Sequence, residues 1–138
     1  MRKDAREIVF KLIFEFLFLK EPDEETKTEL LLENKAVVSD HDAEYVHSVY
    51  EGVIANFDTL YEAVNERANI FKGERIFKTD LAVMLLAAYE LKFCEDIPPV
   101  VSINEALILA GKYCSENSIP FINGILAKIK LDAEQKGK

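Results

Sequence analysis

Residues 79–93 read Thr-Asp-Leu-Ala-Val-Met-Leu-Leu-Ala-Ala-Tyr-Glu-Leu-Lys-Phe. From Leu81 to Ala88 no polar side chain interrupts the run, so a helix here has no hydrophilic face. Such a helix sits inside a bundle. The run is shorter than the about 20 apolar residues that a bilayer requires, and no other stretch reaches that length without charges. A central helix beginning at Lys78 or Thr79 therefore organises the fold, and other helices have to surround it.

They are visible on both sides. In residues 3–19, Ala5, Ile8, Leu12, Phe16 and Leu19 recur at three- and four-residue steps, and Val9 and Ile13 widen the stripe. Phe10, Phe14 and Phe18, one turn apart and led by Arg6, form a second row that needs its own partner. Pro22 ends this helix and opens an acidic linker over 21–38, with a short helical turn at Leu30–Leu32. A helix starts near Ser39 or Asp40, with Tyr45, Val46, Val49, Tyr50, Val53 and Ile54 as its apolar stripe. Asp58 caps another, with Leu60, Tyr61 and Val64 inward. Gly73 breaks the pattern. Beyond the central helix, Ile97-Pro98-Pro99 is extended. Ser102 and Glu105 match a capping box for a helix through Leu109 and Tyr113. Ser118 with Pro120 opens a last helix, Phe121 to about Lys130, and the polar tail 132–138 frays. The expectation is an all-α single domain over 1–138, six to seven helices in two packed helical subdomains.

Composition agrees. Gly (5) and Pro (4) together are about half of the usual share of roughly 12%. Barrels and Rossmann folds spend more of both on turns. Hydrophobic residues at 49% suffice for a core. The net charge of −8 excludes a protein that coats nucleic acid indiscriminately, because phosphate neutralisation dominates such binding. The charge is uneven: residues 1–20 are net +2 (Arg2, Lys3, Arg6, Lys11, Lys20 against Asp4, Glu7, Glu15), and residues 21–43 are net −6. A small basic spot on an acidic body is the result.

Catalytic patterns are missing from the sequence. His41 and His47 lack metal-ligand spacing, and Cys94 and Cys114 are isolated thiols suited to packing. There is no phosphate-binding loop, dinucleotide fingerprint or nucleophile elbow. A non-enzymatic chain without metal or cofactor is the expectation, in the cytoplasm, with no membrane association.

Several segments carry a family pattern in order: Ala5-Arg6-Glu7 opening an aromatic helix, Asp80-Leu81-Ala82-Val83 leading to Ala88-Tyr89-Glu90-Leu91, Ile97-Pro98, Ile103-Asn104-Glu105-Ala106, and Phe121-Ile122-Asn123-Gly124-Ile125-Leu126. The chain resembles the NusB family of transcription antitermination factors. The resemblance implies binding to the boxA element of single-stranded RNA jointly with the small-subunit ribosomal protein NusE. It also implies a place in the transcribing RNA polymerase complex with other Nus factors, and the homodimers that some relatives form. Two readings compete: an RNA-binding domain like the N-terminal part of ribosomal RNA cytosine methyltransferases, and a protein-only scaffold.

By that resemblance, the RNA-binding residues are Arg2, Lys3, Arg6, Phe14, Tyr113, Phe121 and Asn123. Cations meet phosphate, rings stack on bases and the amide reads a base edge. Glu74 and Asp80 are the acidic candidates for the basic ribosomal protein. Structural roles compete at each: Arg6 in a surface ion pair, Phe14 in the core, Asn123 capping backbone, Phe121 stapling the last helix and Asp80 as a helix N-terminal charge.

Overall fold

Leu81 to Ala88 are all buried, and the helix that carries them packs against five others. The computed structural model describes residues 1–68 and 76–135, and these contain seven helices and no strand. They are α1 (Arg2–Leu19), α2 (Glu24–Glu33), α3 (Asp40–Ala55), α4 (Phe57–Ala68), α5 (Lys78–Phe93), α6 (Pro99–Tyr113) and α7 (Ser118–Gln135). α5 is the hub: α1, α3, α4, α6 and α7 all pack on it. One hydrophobic cluster runs through all six of these helices. Gly73, Glu74 and the end of the expected tail lie outside the described residues.

The local chemistry explains most boundaries. α1 stops at Lys20, which adopts a left-handed conformation (φ 66°) and donates its N–H to the Phe16 carbonyl at 2.8 Å, and Pro22 follows. Ser39 caps α3 by accepting the Asp42 N–H at 3.1 Å. Within the expected acidic linker, Glu24–Glu33 forms α2 instead of a single turn. Its start is set by Asp23, whose carboxylate accepts the Thr26 N–H at 3.0 Å and the Thr26 hydroxyl at 2.8 Å. Tyr61, expected inward, is 40% exposed and stacks on Phe57.

α6 begins at Pro99, earlier than the capping-box reading places it. Proline lacks an N–H and has a preset φ, so it suits the first helical position. Ser102 is thereby inside the helix and buried, and its hydroxyl donates to Glu90 Oε1 at 2.8 Å. α7 likewise starts at Ser118, with Pro120 in its first turn, and continues to Gln135.

Glu90 is only 1% exposed, yet carries a carboxylate. Arg6 donates to it from Nε (2.9 Å) and Nη2 (3.3 Å), Ser102 Oγ donates at 2.8 Å, and Tyr45 donates its hydroxyl. Four helices, α1, α3, α5 and α6, therefore meet on one anion. Burial works against the Arg6 charge, but Glu90 more than offsets this and holds the guanidinium protonated beyond its ordinary range. Burial, then the Glu90 charge, pushes the Tyr45 hydroxyl well up, so it stays a donor.

A further constraint lies where α3 crosses α5. Gly52 faces the Tyr89 ring so closely that an added Cβ would overlap it. Gly52→Ala should therefore cost about 1–3 kcal/mol by overpacking. Arg6→Ala should cost about 3–5 kcal/mol, because it leaves Glu90 charged and buried. Joint replacement, Arg6→Met with Glu90→Leu, should cost less than Arg6→Ala alone. Urea unfolding followed by circular dichroism checks all three. A midpoint for Arg6→Ala equal to wild type would show that the pair does not hold the helices.

Candidate nucleic-acid interface

The start of α1 sends its cations in two directions, Arg2 and Arg6 toward neighbouring helices and Lys3 toward solvent. Arg2 turns toward α3, where Nε donates to Asp42 Oδ1 at 3.0 Å and the guanidinium covers the Tyr45 ring at 4.3 Å. The Arg2 hydrogen bond is the main reason that Asp42 is held below the usual carboxylate range. Arg6, one turn on, follows the same face inward and is 6% exposed. Its third nitrogen, Nη1, stands 3.7 Å from Glu105. Arg6 is thus neither in a surface ion pair nor available at the surface. Only Lys3, about 100° away from Arg2 around the helix, faces solvent.

Lys3 borders a recess of about 100 Å³ between α1 and α6, lined by Arg6, Glu7, Glu105, Ile108 and Lys112. Across it, Glu7 accepts from Lys112 Nζ at 2.6 Å and from the Tyr113 hydroxyl. Burial tends to raise Glu7, but these two donors outweigh it and, with Lys11, hold the carboxyl below its ordinary value. Burial and the Glu7 bond push the Tyr113 hydroxyl up. Lys3, Lys11 and Lys112 are all exposed around this one carboxylate. Lys11 and Lys112 were absent from the sequence-derived set. Lys11 was legible, because residues 3, 7 and 11 share one helical row. Lys112 was not, because it needs α6 to lie beside α1.

The second aromatic row of α1 continues the strip. Tyr113 packs on Phe10 with centroids 4.7 Å apart, Phe10 on Phe14 at 6.3 Å, and Phe14 on Phe18 at 5.1 Å. Along α1 exposure grows from buried Phe10 through half-buried Phe14 to Phe18, 58% exposed, and Tyr113 is half-buried. Lys78, at the start of α5, places Nζ 5.2 Å from the Phe18 ring.

The start of α7 adjoins this far end rather than the start of α1. Ser118 donates its hydroxyl to Asp80 Oδ2 at 2.7 Å, in the first turn of α5 beside Lys78. α1 is about 27 Å long, so this region lies near Phe14 and Phe18, not near Arg2. Asn123 is exposed, whereas Phe121 is half-buried against the core. Asp80 is 3% exposed and turned toward Ser118, so it is not a surface contact for a partner. Burial, and then the neighbouring Asp80 carboxylate, pushes the Cys114 thiol up to about 12.

A model of the NusB family matches residues 3–130. The chain belongs to the NusB family. The transcription antitermination protein NusB of Agathobacter rectalis is 38% identical over 127 residues, covering 92% of this chain and 97% of that protein. The solved structure of T. maritima NusB has a TM-score of 0.82 at 30% identity, covering 96% of this chain and 92% of that one. A chain in the crystal structure of antitermination factors NusB and NusE in complex with dsRNA has the same fold, with a TM-score of 0.82 at 21% identity, covering 95% of this chain and 96% of that one. No helix among the described residues is long and apolar enough to cross a membrane.

Nothing about Cys114 in this NusB-family chain suits a nucleophile. Burial beside Asp80 keeps it protonated at pH 8, where a free cysteine is already partly thiolate. Alkylation by iodoacetamide should be slowed accordingly in the folded chain and restored in urea. Mass spectrometry of the labelled peptide reads this directly, and free-cysteine rates in the native protein would contradict the assigned environment.

Proposed function

We propose that this NusB-family chain is a non-catalytic, cytoplasmic RNA-binding adaptor in transcription antitermination. It takes up boxA-type single-stranded RNA together with the ribosomal protein NusE and joins the transcribing RNA polymerase complex. One observation carries the reading: a strip that runs from exposed Lys3, Lys11 and Lys112 over half-buried Tyr113 and, across buried Phe10, to half-buried Phe14 and exposed Phe18. Cations followed by partly exposed rings are what an unpaired strand needs, phosphates on the first and bases on the second. The family supports the reading, as does the solved assembly in which a protein of this fold meets NusE and RNA.

Within the strip the roles divide by exposure. Lys3, Lys11 and Lys112 meet phosphates. Tyr113 and Phe14 offer the exposed parts of their rings, each base stacked being worth about 1–3 kcal/mol. Asn123 reads a base edge from the start of α7, and half-buried Phe121 supports it there. Arg2 contributes from the rim through the part of its guanidinium not taken by Asp42. Arg6 acts indirectly, by fixing α1 against α5. The carboxylate of Glu7 amid three lysines weakens the local field, so the free chain binds RNA weakly and NusE strengthens it.

Fluorescence anisotropy with a labelled boxA-like strand tests this. Affinity should rise when NusE is added. Lys3→Gln, Lys11→Gln and Lys112→Gln should each weaken binding and reduce the slope of log K against log salt by roughly 0.7, the value for one single-strand phosphate contact. Their unfolding curves should match wild type. Unchanged salt slopes in all three would remove the strip as the RNA site.

A further inference from the structure

The cationic end of the strip also holds two carboxylates, and as charges both repel a polyanion. Glu7 of α1 and Glu105 of α6 line the recess of about 100 Å³ between these helices, each mostly buried. The two donors to Glu7, Lys112 Nζ and the Tyr113 hydroxyl, both bond Oε2, which leaves Oε1 open. Glu105 accepts no side-chain hydrogen bond among the described residues. Its ion-pair partner, Arg6 Nη1, stands at 3.7 Å, beyond hydrogen-bonding range. Two open acceptors in so sheltered a place favour a ligand that brings N–H groups.

The rest of the lining narrows the class of ligand. Ile108, 62% exposed, and buried Leu109 give the recess an apolar side against which a flat ring can lie. A closed cavity of about 150 Å³ takes up benzene, so this smaller, open recess admits the leading edge of one six-membered ring. Exposed Lys3 and Lys112 flank it, where they can hold the phosphate of the same nucleotide. Arg6 adds Nη1 as a donor, since only its Nε and Nη2 bond Glu90. Bases differ in the edge that they bring. Cytosine and adenine lead with an amino group, two N–H bonds beside an acceptor nitrogen of the ring. Uracil and guanine put a carbonyl oxygen at that place.

We propose that the recess between α1 and α6 is a base-reading pocket that takes the amino edge of a cytosine or adenine, with Glu7 and Glu105 accepting its two N–H bonds and Ile108 bearing on the ring. The inference rests on the RNA reading above and adds to it a choice of amino over keto bases at one position of the strand. A carbonyl oxygen in this place faces two carboxylates and leaves all of these acceptors without a donor. Lysine contacts to phosphate and ring stacking are the same for every base, so they cannot make this choice. The two acids thereby acquire a use that their charge alone would deny them at an RNA surface.

Competition for the full chain between oligouridine strands of equal length tests the pocket. One residue of each strand is replaced by cytidine, adenosine or guanosine, and a labelled oligouridine reports by anisotropy. Cytidine or adenosine should improve affinity at least about fivefold over uridine, the lower end for a good side chain–base pair, and guanosine should not. Glu105→Gln keeps the shape but adds a donor, so it should raise affinity for plain oligouridine and remove most of the preference. Ile108→Lys alters an exposed position, so folding does not limit it, and places a cation against both carboxylates. It should remove the preference while binding of every strand tightens. Equal affinities for the four strands in wild type overturn the pocket, as does a preference that survives both substitutions. Lys3→Gln and Lys11→Gln separate the two readings. Reduced salt slopes without any base preference leave the strip standing and the pocket refuted, whereas unchanged slopes remove both.

Discussion

The carboxylate of Glu90 is the point on which four helices depend. Bare, it would be among the most costly groups to bury in this chain. Enclosed by Arg6, Tyr45 and Ser102, it becomes an anchor that none of those helices can leave without exposing an unsatisfied charge. Apolar packing from Leu81 to Ala88 holds α1, α3 and α6 against α5 without any directional bond. Directional bonds to one carboxylate fix their register. Fixing α6 beside α1 is also what brings Lys112 and Tyr113 to Glu7, so the surface strip is a consequence of a buried anion.

The cations of α1 therefore serve two ends. Arg6 is committed to the interior and Arg2 largely to Asp42 and Tyr45, which leaves lysines as the free charges. The distribution suits the chemistry. A guanidinium offers a planar fork that matches a carboxylate at a fixed angle, whereas a lysine on a flexible stem follows a phosphate that moves.

Much of this was legible in the sequence. Periodicity gave the existence and type of nearly every helix, and the continuous apolar run from Leu81 gave the hub. The boundaries that differed have local causes. Pro99 starts α6 earlier than Ser102 because its missing N–H costs nothing at that position, and Asp23 nucleates α2 inside a segment whose acidity alone suggested a solvated linker. The functional residues were harder to read. Arg2, Lys3 and Arg6 are neighbours in the chain, but a helix turns 100° per residue and sends Lys3 away from the other two. Lys112 and Glu7 are far apart in sequence, and no periodicity connects them. The inward turn of Asp80 likewise depends on Ser118 arriving from α7.

An acidic protein with a small cationic strip works at short range. Exposed charges are screened beyond about 8 Å at physiological salt, so the body's excess of carboxylates does little to a strand already seated on the strip. It acts earlier, by giving no long-range attraction to steer RNA inward. Glu7 has the same effect locally, since its ion pair with Lys112 must be shared before a phosphate gains that lysine. In the function proposed above, encounter with RNA is left to diffusion, and residence is set by the rings of Tyr113 and Phe14 together with the contacts that a partner adds. An adaptor of the proposed kind discriminates by requiring two surfaces at once: its own short-range contacts become a lasting assembly when a partner engages the same strand.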